Sequence, residues 1–307
     1  MTSSSSSPDN KTILLTGAGP NGITGRRIFN SLKSNFNIIG PSSQELNLTD
    51  FDAVSEFFDK NNIDFIIHSA IYRTNSITGD SKDSSNAVEA NIRMFHNLLR
   101  FAPEVEKFIY FGSGAEYDKS RAIISISEEN FGNRIPKDSY GLWKYIIAKE
   151  AVHHPNIYNF RIFGTINPVE RPGKNVISNL CAKAAFNRPL TLNRDCRFSF
   201  IDIDDVVEII RFVLLNDLTY RDYNITLPEN YLLSDIAKII NEINNSTLPI
   251  IFAQEGLNLE YSANNSRLSA EYNHFTPIKK SIEKVLDYMK LNIRNIDLES
   301  LDQRWKR

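Results

Sequence analysis

Tyr140 and Lys144 stand four residues apart in Asp138-Ser139-Tyr140-Gly141-Leu142-Trp143-Lys144, a spacing that puts both side chains on one face of a helix. An ammonium held beside a phenol favours the phenolate and brings down a pKa that is ordinarily about 10, so the pair can exchange a proton with a substrate oxygen near neutrality. That is the chemistry of carbonyl reduction. A Tyr-x-x-x-Lys pair also arises as a packed aromatic beside a solvated lysine, so its weight depends on context. Context comes from Phe111-Gly112-Ser113-Gly114-Ala115-Glu116-Tyr117, at the carboxyl end of a predicted buried strand, where open α/β sheets gather their ligands. Ser113 there can donate to the reacting oxygen alongside Tyr140; taken alone it is an ordinary loop serine.

Reduction also needs a hydride donor, and the run Thr16-Gly17-Ala18-Gly19-Pro20-Asn21-Gly22-Ile23-Thr24-Gly25 offers a place to hold one. It follows a predicted strand and leads into a predicted helix. Glycine suits this turn because the chain needs positive φ and because a pyrophosphate must approach bare N–H groups at a helix N-terminus. Gly17, Gly19, Asn21, Gly22 and Ile23 are the expected cofactor contacts there. At the end of the second strand, where an acid would grip a ribose, the chain reads Gly40-Pro41-Ser42-Ser43. No carboxylate is read at that place. Ser42 could donate to a 2'-phosphate, with Arg26 or Arg27 as helpers, so we favour NADP(H) and leave NAD(H) open.

These groups need a scaffold, and the first half of the chain repeats a short β-branched or aromatic run, a turn and a helical pattern. Strands are predicted at 12–15, 36–39, 65–67, 107–111 and 157–163. Helices are predicted from the glycine turn onward, after Thr49-Asp50 with Asp50 near its N-cap, and over 84–100. The fold class is α/β: a Rossmann-type doubly wound parallel sheet with a smaller mixed α/β substrate domain. We expect a disordered tail over 1–10, an NAD(P)-binding domain over 11–165 with 198–225 returning to it, a substrate domain from 166–197 and 226–290, and a C-terminal helical segment over 291–307, with the charged, helically patterned stretch from Lys279 to Arg307 read as a surface element.

With Lys+Arg 35 against Asp+Glu 37 and a formal charge of -2, no bulk positive field exists to hold nucleic acid or an anionic membrane. The longest apolar runs are strand-sized, far from the roughly 20 residues a membrane crossing needs. Cys181 and Cys196 form no C-x-x-C pair, and the opening residues have no apolar secretory core, which fits a reducing cytoplasm. No His or carboxylate cluster has metal-ligand spacing, so no metal is expected. His68, at the end of a buried strand, is read as a satisfied core histidine.

The ordered motifs resemble the NAD-dependent epimerase/dehydratase family, the extended short-chain dehydrogenases/reductases, from about Lys11 to Leu291. After the glycine turn, Leu46-Asn47-Leu48-Thr49-Asp50 is similar to the family's adenine-contacting stretch, and Ile66-Ile67-His68-Ser69-Ala70 to its strand end near the cofactor. Asn91 resembles the central-helix asparagine, Ser113, Tyr140 and Lys144 the catalytic set, and Arg161-Ile-Phe-Gly-Thr the strand leading to the substrate domain. Arg197-Phe-Ser-Phe-Ile-Asp is similar to the element whose arginine meets the sugar nucleotide's phosphates, and Tyr72, with Arg73 and Thr74, is placed by position at the border of the sugar site. The resemblance implies that Asn47, Leu48, Ser69, Ala70 and Asn91 join the cofactor contacts and that the substrate is a nucleotide sugar; a homodimer is common among such relatives.

Glu45 to Ile67 is nearest to the GDP-fucose synthase branch. Ala115 stands where that branch has a cysteine, and no histidine occurs between His154 and His274. Gly114-Ala115 stands where the dehydratases carry an acid pair. The glycine turn is about two residues longer than the family's usual form. What the resemblance then implies is chemistry needing only the triad and a hydride: reduction of a 4-keto sugar at C4. The alternatives are an NAD-dependent C4 epimerase and, in another class, a non-catalytic cofactor-sensing interaction protein.

Overall fold

A computed structural model describes residues 11–19, 22–72, 84–173, 175–297 and 299–301. The expected tail, Asn21, Arg73 and Thr74 lie outside the described residues. The chain divides into two compact units, the first drawn from 1–120, 128–161 and 207–223 and the second from 121–127, 162–206 and 224–307.

The first unit opens with β1 (Thr12–Thr16), α1 (Ile23–Leu32), β2 (Asn37–Ile39), α2 (Phe51–Lys60), β3 (Phe65–His68), α3 (Ser84–Leu99) and β4 (Lys107–Ser113). β5 (Ile123–Ile126) leaves it, and α4 (Ser139–Ala151) and β6 (Ile157–Ile162) resume it. The six-stranded sheet runs β10-β6-β4-β3-β1-β2, with β10 at Asp222–Ile225. β1 pairs in parallel with both β2 and β3, and β3 with β4. Connection order reverses between β1 and β3, so their carboxyl ends open the crevice where such sheets take ligands. Register lines Thr16 up with His68 and His68 with Tyr110.

β3 is buried throughout and reads Phe-Ile-Ile-His, as a strand covered on both faces should. The core joins Leu14, Ile66 and Phe108 of the sheet to Phe95 and Leu98 of α3 and Ile147 of α4. Asp50 starts α2 by accepting from the N–H groups of Asp52 (3.0 Å) and Ala53 (3.3 Å).

The second unit contains β7 (Gly164–Ile166), α5 (Val176–Ala185), β8 (Leu190–Leu192), β9 (Arg197–Asp202), the start of α6 (Ile203–Leu215), β11 (Asn230–Leu232), α7 (Leu233–Ile243), β12 (Ile250–Phe252), β13 (Tyr261–Ala263), α8 (Ser266–Ser269) and α9 (Ile278–Leu291). One sheet is ordered β11-β9-β13-β5 with β7 also on β9; β8 and β12 form a separate parallel pair. Three expectations change here. β9 belongs to this second sheet rather than returning at 198, because Phe198 and Phe200 pack into an aromatic cluster with Tyr261, Phe198 at 4.9 Å from that ring. The return begins at Val207, within α6. The segment 121–127, expected in the first domain, pairs through β5 with β13. The C-terminal charges also hide an apolar stripe: α9 buries Ile278, Ile282, Val285, Leu286 and Met289, so it is a core helix, followed by short 3-10 turns at Ile293–Asn295 and Glu299–Leu301. No helix among the described residues is long and apolar enough to cross a membrane.

Candidate active site

The glycine turn is built so that side chains are excluded from it. Gly17 has φ +85°, and a Cβ there would lie 2.8 Å from both the amide nitrogen of Ala70 and Oγ of Ser69. A Cβ on Gly22 or Gly25 would run into the carbonyl of Gly17. Gly22 N–H donates to Gly19 O at 2.8 Å, and α1 starts at the next residue. The end of β3 is tied to this turn: Ser69 Oγ donates to Thr16 O (2.7 Å), and Ala70 N–H donates to Thr16 Oγ1 (3.3 Å). Bare backbone at the start of a helix fits the pyrophosphate of a dinucleotide. His68 lies behind, its Nδ1 2.7 Å from Thr16 Oγ1. Burial, with Lys144 adding to it, drives His68 down to about 3, so it is a neutral core histidine.

Ser42 faces the turn, its Cα 3.6 Å from where a Cβ on Gly19 would be. The structure supplies an acid that the sequence reading did not find at this end of β2: Glu45 curls back and accepts from Ser42 N–H at 2.7 Å. Ser42's amide and hydroxyl hold that carboxyl below its ordinary value. Asn47 turns its Oδ1 to the N–H and hydroxyl of Thr49, and the Leu48 carbonyl accepts from Asn97. Asn91 accepts from Tyr72 N–H and donates to the carbonyls of Tyr72 (3.0 Å) and Ala87 (2.7 Å). It pins the chain leaving β3 to α3.

Ser113 ends β4 and caps the 3-10 turn Gly114–Tyr117: its Oγ accepts from Ala115 N–H at 3.2 Å, while its own N–H goes to Glu116 Oε1 at 2.9 Å. With the oxygen engaged as acceptor, the hydroxyl proton is left for another partner. Asp138 caps α4 through Gly141 N–H at 2.9 Å. Gly141 lets the first turn of α4 lie against the serine turn, since a Cβ there would sit 2.7 Å from Ala115 O. Tyr140 is half-exposed and meets Trp143 edge to face at 5.5 Å. One turn on, Lys144 is buried, its Nζ donating to the Phe111 carbonyl and lying 4.6 Å from the Tyr110 ring centre. Burial pushes Lys144 down to about 7, and Glu116 opposes that. The structure therefore places Ser113 and the Lys144 ammonium at the carboxyl end of β4, with Tyr140 one helical turn from Lys144 on α4, and β3 lies between β4 and the strand that leads into the glycine turn.

Tyr72 is exposed in the first unit. Arg197 belongs to the second, where it is exposed and donates to the Asn230 carbonyl at 3.0 Å. Gly141, Gly112 and Glu116 also shape the site, although their residue types alone do not single them out. A glycine between the tyrosine and lysine, and a glutamate in an otherwise buried strand-end motif, were the available signals.

Residues 13–226 match the NAD dependent epimerase/dehydratase family, more than half of the chain. The chain belongs to that family. It is accordingly an NAD(P)-dependent enzyme of the epimerase and reductase kind that modifies nucleotide sugars. GDP-L-colitose synthase of Yersinia pseudotuberculosis is 24% identical over 257 residues, covering 75% of this chain and 81% of that one. GDP-mannoheptose C4 reductase from Campylobacter jejuni, solved with NADP bound, has the same fold at a TM-score of 0.76 and 16% identity, covering 93% of this chain and 99% of that one. GDP-L-fucose synthetase from Naegleria fowleri, bound to NADP, gives 0.75 at 16% identity over 95% and 97% of the two chains.

Proposed function

We propose that this family member reduces a 4-keto sugar nucleotide at C4, using NADP(H). The observation that carries the reading is Lys144 fixed on the Phe111 carbonyl, one helical turn from Tyr140 and at the same strand end as Ser113. NADP(H), when held there, would supply the hydride. Tyr140 gives the proton to the forming alkoxide, Ser113 donates its hydroxyl proton to the same oxygen, and Lys144 favours transfer by stabilising the phenolate left behind. Gly17, Gly19, Gly22 and Ile23 would hold the pyrophosphate, and Ser69 and Ala70 would flank the nicotinamide side, with Asn47 and Leu48 toward the adenine. Arg197 is proposed for the phosphates of the substrate and Tyr72 for its sugar.

NADP(H) is favoured by Ser42 beside Gly19 and by the NADP named with both solved relatives. The relatives' names carry GDP-linked sugars, which makes guanosine diphosphate the first nucleotide to test. Without a cysteine at 115, the branch's acid–base pair for epimerisation next to the keto group is incomplete. The test is to mix the purified protein with GDP-linked 4-keto sugars and NADPH or NADH and follow loss of reduced nicotinamide together with the product by mass spectrometry. Stoichiometric NADPH consumption with a two-hydrogen mass gain supports the reading. In a parallel assay on GDP-linked sugars that carry a C4 hydroxyl, inversion at C4 with no net cofactor consumption, by protein that retains its NAD, would replace it with the epimerase.

A further inference from the structure

Glu116 is fully buried three residues beyond Ser113, in a place where an apolar side chain would fill the space. A buried carboxylate is costly unless partners surround it, and an apolar pair often serves stability as well as a buried ion pair does. This one is fully partnered. One oxygen takes Ser113 N–H at 2.9 Å, and the other takes Asn159 Nδ2 at 3.0 Å and Arg161 Nε at 2.7 Å. Three N–H donors on two oxygens describe an ionised acceptor. Arg161 is itself fully buried, passes on to Asp222 at 2.5 Å and lies 4.2 Å over the Phe131 ring.

The placement concerns the reacting groups directly. At the end of β4, the Phe111 carbonyl takes the Lys144 ammonium, Gly112 has no room for a Cβ because Glu116 Oε1 and Asn159 Oδ1 lie against it, and the Ser113 N–H is given to Glu116. Carboxylate and amine therefore sit on successive peptides of one strand end. We propose that Glu116 is a positioning residue for the reaction, tying down the Ser113 backbone so that its hydroxyl proton faces the substrate, and placing a negative charge behind Lys144 that keeps it an ammonium during turnover. Its role presupposes the Ser113, Tyr140 and Lys144 chemistry proposed above.

Electrostatics run the same way. Burial lowers Lys144 and the Glu116 charge raises it again. Burial raises the Glu116 carboxyl, while Arg161, Ser113 N–H and Asn159 draw it back. The other groups facing this pair are Tyr110 on β4 and Tyr117 in the serine turn, both raised by burial, Tyr140 on α4, neutral His68 on β3, Arg161 on β6, Asp222 on β10 and Glu128. None of them supplies a closer fixed negative charge to the Phe111–Ser113 strand end than Glu116, which hydrogen-bonds it.

The experiment compares wild type, Glu116→Gln, Glu116→Asp and Tyr140→Phe in reduction of a GDP-linked 4-keto-6-deoxyhexose by NADPH across pH. Glutamine keeps the size and an acceptor for Ser113 but drops the charge. It should bind NADPH within about twofold of wild type, lose about 10- to 100-fold in kcat, and move the alkaline limb of kcat to lower pH by about one unit, as expected for removal of a buried neighbouring charge. Aspartate keeps the charge but reaches less far, so kcat should fall while the limb stays within a few tenths of a unit of wild type. An unmoved limb and intact kcat in Glu116→Gln overturns the inference. Should that variant fail to fold, the aspartate variant decides: a wild-type limb supports the role, and a displaced limb overturns it. Full turnover by Tyr140→Phe would remove the underlying chemistry and this role with it, whereas an inactive Tyr140→Phe beside an unaffected Glu116→Gln refutes the Glu116 role alone.

Discussion

Replacing Arg161 by leucine isolates the energetics of the buried pair behind the serine turn. In the native chain both partners are fully buried and Arg161 Nε lies 2.7 Å from Glu116 Oε2. Leucine leaves the carboxylate with only Ser113 N–H and Asn159 as donors. Breaking a buried ion pair by removing one partner costs about 3–5 kcal/mol, because the survivor remains buried and uncompensated. At about 2–4 °C per kcal/mol for a unit of roughly 150–250 residues, the melting temperature should fall by about 6–20 °C. The loss carries a pH signature. Glu116 is already raised by burial, and without Arg161 it rises further. A folded-state carboxyl raised above its unfolded value favours folding at acid pH and loses that contribution as pH climbs through the folded value. The deficit should therefore be smaller near pH 5 than near pH 8, and adding Glu116→Val should recover most of it. Differential scanning calorimetry at both pH values is the assay. A deficit under about 1 kcal/mol, or one that grows toward acid, would refute the reasoning.

Three further outcomes are expected. Gly17→Ala combines a Cβ at positive φ with crowding against Ser69 and Ala70, so it should cost about 1–3 kcal/mol and weaken NADPH binding, measured by calorimetric titration; unchanged affinity would remove Gly17 from the cofactor site. Lys144→Met should lose turnover yet gain thermal stability below pH 7. Lys144 is held at about 7 against 10.5, so the native chain gains stability as pH rises from 7 toward the lysine range, and melts near pH 9.5 should show the variant's advantage shrinking. Ser42→Ala should lower kcat/KM for NADPH more than for NADH, and Glu45→Gln, by removing a carboxylate beside Ser42, should raise the NADPH to NADH ratio; equal changes for both cofactors would place the 2'-phosphate elsewhere.

The α/β class and the first four strands were legible because β1, β3 and β4 are short, largely buried runs and α2 has a recognisable start in Asp50, with the half-exposed β2 falling between them in the same alternation. Positions set by distant pairing were less so. β9 looks locally like another strand of the first sheet, and only its partners β11 and β13 in the second sheet show otherwise. α9 reads as a charged surface helix until its stripe is matched to α5 and α7. At the candidate site, the tyrosine–lysine spacing and the strand-end serine were visible because they are local in sequence. Glu45 was not, because its reach back to Ser42 depends on the turn between them, and Glu116 acquires meaning only when β6 brings Arg161 beside it from 45 residues away.

The most direct test of the central claim is a single-turnover comparison of wild type and Tyr140→Phe, each preloaded with NADPH and mixed with a GDP-linked 4-keto sugar that the wild type reduces. The account predicts that both bind NADPH with similar affinity and that hydride transfer in the variant slows by about 100- to 10,000-fold, the range expected for a lost general acid. Transfer at the wild-type rate by Tyr140→Phe would contradict it.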